Sequence, residues 1–153
     1  MPARAAQRGV VLLTVLFVVL ATTLAASALV VSYTTQMRRE KEAQLLFAGD
    51  QFRRAITSYY NAIPQGGARG LPPTLQALVH DDRFPKPIHH LRRIYPDPIT
   101  GQADWELLED GPGIIGVRSR SKLAPLKSEG FGAKDAHLRG AATYSGWEFR
   151  ASR

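Results

Sequence analysis

Hydrophobic residues are concentrated in one uninterrupted stretch near the N-terminus of the chain. Residues 10–31 carry no charged side chain, and their polar side chains are limited to Thr14, Thr22, Thr23 and Ser27. A helix rises about 1.5 Å per residue, so a stretch of this length spans roughly 33 Å, which matches the hydrocarbon core of a bilayer. The pattern therefore predicts a transmembrane helix over residues 10–31.

The residues before this stretch are basic. Arg4 and Arg8 precede it without any acidic residue, and the positive-inside tendency therefore predicts a cytoplasmic N-terminus. A cleaved secretory signal peptide is the alternative, because residues 26–28 have the small-x-small form of a cleavage site. The apolar stretch is longer than the usual signal-peptide core of about 7–15 residues, and this favours the membrane helix.

The sequence after the apolar stretch predicts that the helix continues. No proline occurs between Val10 and Ile63, and residues 38–42 are good helix formers of mixed charge. Apolar residues then recur at helical spacing, at Leu45, Phe52, Ile56, Tyr59 and Ile63. The opposite side carries Asp50, Arg53 and Arg54. Residues 32–63 are therefore predicted to be an amphipathic continuation of the helix, which ends at Pro64 and the glycines after it.

The remaining residues, 64–153, predict a small globular region. Thr74 is placed to cap a short helix over residues 75–79. Apolar runs separated by turn signals, such as the one at residues 110–113, predict strands at residues 105–108, 114–117 and 144–149. The predicted fold class is α+β. It consists of a long N-terminal helix, transmembrane in its first half and amphipathic in its second, with a small antiparallel sheet of about three strands packed on its distal half.

The junction between the basic segment and the apolar stretch resembles the leader of type IV pilins and type II secretion pseudopilins. It reads Gln7-Arg8-Gly9 followed by Val10-Val11-Leu12-Leu13. Other segments are similar to a group of type II secretion pseudopilins, namely residues 45–56, 71–73, 95–98 and 144–149. In that family a prepilin peptidase cuts after the glycine and methylates the new N-terminus. The resemblance implies that residues 1–9 are a leader, that cleavage follows Gly9, and that Val10 is N-methylated.

The resemblance also implies a structural role in filament assembly. It assigns the packing surface between neighbouring helices to Val10, Leu13, Thr14, Leu16 and Phe17. The implied function is that of a subunit of a periplasmic pseudopilus for protein secretion. The implied partners are other pseudopilins, the prepilin peptidase, an inner-membrane assembly platform and secreted proteins. The implied location is the inner membrane, crossed once, with the globular domain in the periplasm.

Thr14 departs from the pattern of the family, in which the fifth mature residue is normally a glutamate. That carboxylate is thought to pair with the N-terminus of a neighbouring subunit, whereas a threonine hydroxyl can only bond to its own helix backbone. We therefore interpret the chain as a minor pseudopilin at or near the filament tip, since a first subunit joins no earlier one. The alternatives are a minor type IV pilin, a membrane-anchored periplasmic binding module and a simple anchor that never polymerises.

Composition narrows the classes of function. The chain has a formal net charge of +7, which is dispersed rather than gathered into a nucleic-acid-binding run. It contains no cysteine, and this favours a secretion pseudopilin over a pilin because many pilins close a C-terminal loop with a disulfide. No nucleophile elbow or phosphate-binding loop is present, so the chain is predicted not to be an enzyme.

Two groups of residues contain side chains of the types that bind metal ions. The adjacent pair His89 and His90 does not have an ordinary zinc spacing, and it is interpreted as part of a solvated surface loop. In the related major pseudopilins, acidic residues in the loop before the last strand hold calcium. Here that loop offers only Glu129 and Asp135, whereas calcium takes six to eight oxygen ligands. No metal and no cofactor is therefore predicted.

Overall fold

The apolar stretch and the segment after it form one helix, α1, at Ala3–Asn61 in the computed structural model. The structure describes residues 3–152, and it describes the side chains of residues 11–23 and 33–152. Helix α1 ends just before Pro64, which cannot continue a helix. The chain divides into two units, Met1–Arg38 and Arg39–Arg153, and α1 contributes residues to both.

The predicted location is wrong. Within the part of the chain that the structure describes, no helix combines the length and the apolar character needed to cross a membrane. Val10 and residues 24–31 of the predicted span lie outside the residues whose side chains are described. The finding contradicts a single-pass inner-membrane protein with a cytoplasmic N-terminus and a periplasmic globular domain.

The second unit contains a three-stranded antiparallel sheet in the order β1-β2-β3, and the fold is therefore α+β. The strands are β1 at Glu106–Asp110, β2 at Gly113–Arg118 and β3 at Glu148–Arg150. A tight turn joins β1 to β2, and Gly111 adopts the positive φ of 62° that this turn requires. The register shifts between Leu108 and Glu109, which marks a β-bulge near the turn.

The third strand is shorter than the sequence predicts. Residues 144–149 were expected to be one strand, but Tyr144–Gly146 form a 3₁₀ turn and only Glu148–Arg150 pair with β2. The backbone N–H groups of Tyr144 and Ser145 donate instead to Leu123 O and Ser121 O, both at 3.0 Å. These bonds tie the segment to the preceding loop, so it does not extend the sheet. A second 3₁₀ turn precedes it at Ala133–Leu138.

The short helix α2, at Leu75–Val79, begins as predicted. Thr74 is its N-cap, with extended backbone angles, and the Thr74 hydroxyl oxygen accepts a hydrogen bond from Ala77 N at 3.3 Å. Leu78 is fully buried on the face that turns to the core. The cap and the apolar spacing are both local in sequence, and they are sufficient to place this element.

The apolar stripe of α1 forms the centre of the core in the second unit. Leu45, Phe52, Ile56 and Tyr59 are all buried, as predicted, and they pack with residues contributed by the sheet and the loops: Leu78, Trp105, Ile114, Val117, Tyr144, Trp147 and Phe149. Ile63 does not belong to the stripe, because α1 has already ended and its side chain is 48% exposed.

Gly49 allows α1 and β3 to approach closely. A Cβ atom at this position would lie 2.3 Å from ring atoms of Phe149, which is itself fully buried. We expect Gly49→Ala to lower the free energy of unfolding by roughly 1–2 kcal/mol, because this overlap outweighs the gain in helix propensity of about 1 kcal/mol. Urea unfolding of the full chain measures the change.

Gly132→Ala is the matched control. Gly132 has a φ of −63°, which alanine adopts freely, and its Cβ would meet nothing within 4 Å. We expect the control to change the free energy of unfolding by no more than about 0.5 kcal/mol. Equal stabilities for the two variants would show that the Phe149 ring can move away without cost.

Candidate functional site

The predicted assembly residues lie on an open surface of α1 in the first unit. Leu13 is 66% exposed, Leu16 65% and Phe17 71%. Together with Thr14 and Leu20 they line a shallow groove of about 470 Å³. The predicted processing residues Gly9 and Val10 lie outside the residues whose side chains are described.

This surface extends around the whole circumference of the helix. All nine large apolar side chains between residues 11 and 20 are 53–73% exposed. Successive residues of a helix are about 100° apart, so nine of them within ten positions leave no polar face. A helix that is apolar all round is normally enclosed by other apolar groups. This segment therefore has the properties of an interface.

Polar groups at the end of the described part of this surface are satisfied within the helix. The Thr22 hydroxyl donates to Val19 O at 2.9 Å, and the Thr23 hydroxyl donates to Leu20 O at 2.8 Å. A hydroxyl bonded to its own helix can enter an apolar interface at little cost, because it leaves no unpaired donor. The two threonines are thus compatible with burial against another apolar surface.

The second unit holds an ionic cluster around Asp81, whose side chain is 1% exposed. Arg83 reaches both carboxylate oxygens, with Nη2 at 2.7 Å from Oδ2 and Nε at 2.9 Å from Oδ1. His90 Nε2 lies 3.2 Å from Oδ2, and the His90 side chain is 2% exposed. The interpretation of His90 as part of a solvated surface loop is therefore wrong. Its neighbour His89 is exposed, and its Nδ1 contacts Val79 O.

The environment of Asp81 favours its charged form. Burial alone would raise the pKa of Asp81, but the hydrogen bonds from the Arg83 side chain, the Arg83 backbone N–H and His90 outweigh burial and lower the pKa to about 2. The Arg83 guanidinium also lies 3.6 Å from the centre of the Tyr59 ring and donates to Tyr59 O at 3.0 Å. The cluster thus ties residues 81–90 to the last turns of α1.

Ser58 extends this cluster into a row of three side chains. Its Oγ lies 2.8 Å from His90 Nδ1, so Ser58, His90 and Asp81 are arranged like a hydrolase triad. The surroundings oppose that chemistry. Arg83 already occupies both oxygens of Asp81, and Ser58 lies in the last turn of α1, where the negative end of the helix dipole would repel an oxyanion. The arrangement serves as a structural tie between α1 and the connector.

The two acidic residues of the loop before the last strand, Glu129 and Asp135, have different surroundings. Asp135 is largely buried and accepts a hydrogen bond from Arg53 Nη2 at 2.9 Å. Arg53 is thus largely buried, although the sequence placed it on the polar side of the helix. Glu129 is exposed and lines a separate groove beside α1. Among the residues described, no group of three or more His, Asp or Glu side chains is placed to hold a metal ion.

Asp50 lies beside the ion pair of Arg53 and Asp135 and is also largely buried. Lys134 Nζ is 2.8 Å from its Oδ1, and Arg54 Nη2 is 2.8 Å from its Oδ2. Burial would raise the pKa of Asp50, but the hydrogen bond and charge of Lys134, together with the charges of Arg54 and Arg53, lower it. The acidic groups on this face of α1 are therefore matched by cations of the same chain.

Glu42 is a buried carboxylate that the sequence does not distinguish from the other charged residues of α1. Its Oε1 accepts hydrogen bonds from Leu126 N at 2.5 Å, Lys127 N at 3.2 Å and the Tyr144 hydroxyl at 2.9 Å. One helical side chain thereby holds two segments that follow it by more than 80 residues. No local pattern could have revealed this role, because every partner is distant in the sequence.

Comparison of the chain with protein-family models, with curated proteins and with solved structures found no match. The resemblance to pseudopilins stays a prediction that depends on the sequence motifs.

The buried Asp81 predicts a specific acid sensitivity. Its pKa is lower in the folded chain than the ordinary value of 3.8, so its contribution to stability is present above about pH 4 and is lost as the pH falls towards 2. The shift corresponds to roughly 2 kcal/mol. We expect Asp81→Asn to reduce, by about that amount, the fall in unfolding free energy between pH 5 and pH 2, as measured by urea titration.

Asp82→Asn is the control for this experiment, because the Asp82 side chain is 81% exposed. It should retain the acid sensitivity of the unmodified chain. If Asp81→Asn retains it as well, other groups cause the loss of stability in acid.

Proposed function

We propose that the chain is a pseudopilin subunit that assembles through the N-terminal part of α1 into a filament for protein secretion. One observation carries the proposal, which is the exposure of every large apolar side chain between residues 11 and 20. The exposed apolar surface alone predicts an interface of some kind. The leader-like junction at Gly9 and Val10 is the feature that favours a filament of the pseudopilin class.

The apolar surface is large enough to drive association. Burying one Val, Leu or Phe side chain yields about 1.5–3 kcal/mol, so nine of them represent a gain on the order of 10 kcal/mol. Association costs several kcal/mol because the subunits lose translational and rotational freedom. The free energy gained by burying this surface exceeds that cost only if most of the surface becomes covered. Parallel packing among several subunits covers all sides of a helix, whereas a single partner covers one.

The groove at Leu13, Leu16, Phe17 and Leu20 provides a specific contact site for this packing. Leu13, Leu16 and Leu20 follow one another at spacings of three and four and so share one side of α1. Phe17 is the aromatic residue of the stretch from residue 11 to residue 20. Ridges at these spacings fit between those of another helix. We propose that this groove receives apolar side chains of the next subunit.

Thr14 favours a minor subunit at or near the tip. It lines the same groove, at the position where the resemblance expects the glutamate that recruits each new subunit. A threonine cannot supply that charge, so such a subunit is suited to begin a filament rather than to extend one. The second part of α1, with Leu45 and Phe52 under the sheet, would carry the globular unit on the filament surface.

Site-directed photocrosslinking tests the packing surface. With benzoyl-phenylalanine in place of Phe17, ultraviolet light should produce adducts that mass spectrometry identifies as other pilin-like subunits. Leu123 is the matched control position, because its apolar side chain is similarly exposed, at 60%, but lies in the second unit. Adding Leu16→Asp should remove most of the Phe17 adducts, since burying an unpaired carboxylate is costly. Equal yields at positions 17 and 123, or no adduct with a pilin-like subunit, would contradict the proposal.

The N-terminus of the mature chain provides a separate test. Mass spectrometry of the protein from its native host should find a chain that starts at Val10 with a methylated amine. Gly9→Leu should prevent the cleavage and leave the leader attached, because the peptidase of the family cuts after glycine. A native chain that retains Met1 or Pro2 would exclude the processing pathway and the class of filament with it.

A further inference from the structure

A second groove lies between α1 and the loop at residues 126–129, within the Arg39–Arg153 unit. It has a volume of about 440 Å³. Its apolar wall is formed by Ala43, Leu46 and Leu126, and its acidic groups are Glu42 and Glu129. The groove belongs to a different unit from the apolar surface at residues 11–20 and has a different chemistry.

Glu42 is built into the wall of this groove with one carboxylate oxygen unused. The residue is 3% exposed, and its three hydrogen bonds all go to Oε1. Oε2 forms no hydrogen bond or ion pair with any residue that the structure describes. Among the residues with described side chains, the fully enclosed side-chain atoms without a hydrogen-bond partner are Arg53 Nη1, Arg118 Nε and Trp147 Nε1, and Oε2 is not one of them. Oε2 therefore keeps some access to solvent, at the groove that Glu42 lines.

The cations beside the groove do not neutralise Glu42. Arg39 and Lys127 line it, but within the described chain neither forms an ion pair with Glu42. Lys127 instead places its Nζ 5.1 Å from the centre of the Phe131 ring. A largely buried carboxylate is thus held in place by neutral donors and has an acceptor free for a cation. Burying a charge without an opposite charge is costly, and a cationic ligand removes that cost.

We propose that this groove binds an arginine side chain presented by a partner protein. The guanidinium donates to Glu42 Oε2, and the aliphatic stem packs against Leu46 and Leu126. Arginine fits better than lysine because its guanidinium is less strongly hydrated and can donate in two directions, to Glu42 and to Glu129 at the rim. The stem provides apolar contact that a metal ion or a simple amine lacks. This inference does not depend on filament assembly.

Methyl NMR on the full chain tests the proposal with a defined probe. Leucine methyl groups are labelled, and N-acetyl-arginine amide is titrated against the protein. The signals of Leu46 and Leu126 should shift and saturate, whereas that of Leu123, which does not line the groove, should stay in place. The neutral isostere N-acetyl-citrulline amide should bind at least about tenfold more weakly, because a charge-assisted hydrogen bond is lost. Equal binding of the two probes, or the absence of saturable shifts, would overturn the proposal without the need for any variant.

Glu42→Gln separates the binding role of this residue from its structural one. The amide oxygen can still accept from Leu126 N, Lys127 N and the Tyr144 hydroxyl, while the NH₂ group replaces Oε2 and repels a cation. We expect the variant to stay folded and to bind the arginine probe with an affinity lower by about tenfold or more. Glu129→Gln is the matched control at the rim and should weaken binding by less than about threefold. Unchanged binding by a folded Glu42→Gln variant would exclude Oε2 as the acceptor.

Discussion

The contact between Phe149 and helix α1 holds the globular unit together. Phe149 lies in a strand of only three residues, and such a short strand gains little from its ladder of hydrogen bonds. Its ring is fully buried over Gly49, where the absence of a Cβ lets the sheet approach the helix. Phe149 belongs to the same buried cluster as the stripe from Leu45 to Tyr59, Trp105 and Trp147. The helix thus supplies the surface on which a sheet too small to be stable by itself can form.

Carboxylates connect the remaining loops to α1 in a chain that contains no cysteine. Glu42 holds the loop at residues 126–127, Asp81 joins the connector to the last turns of the helix through Arg83, and Asp135 pairs with Arg53. Each tie restrains segments that are distant in the sequence, as a disulfide would. Buried charges are costly to introduce but more costly to leave unpaired, so these ties favour one arrangement of the loops over others.

The two candidate surfaces would act through different forces. The apolar surface at residues 11–20 gains free energy by leaving water, an effect that salt hardly weakens. The groove at Glu42 attracts a cation, and salt screens such an attraction at a partly exposed site. Subunit packing and recognition of a basic partner would therefore respond separately to ionic strength.

Local patterns in the sequence were sufficient for the elements and the core. The spacing of Leu45, Phe52, Ile56 and Tyr59 predicted a helix with one buried face, and Thr74 predicted the start of α2. The turn at residues 110–113 predicted the pairing of β1 and β2. These features depend on neighbours within a few positions, where helix period, capping and turn geometry act directly.

Tertiary structure decided which polar residues are buried and what they bind. His90 was expected in solvent but lies against Asp81, and Arg53 was placed on a polar face but meets Asp135 across 82 positions. The predicted third strand was shortened because Tyr144 bonds to Leu123 instead of to the sheet. The sequence determined the periodicity of each segment, whereas burial of a charge depends on which distant group approaches it. That approach is set by the packing of the whole unit, because only a partner in the right place offsets the loss of water.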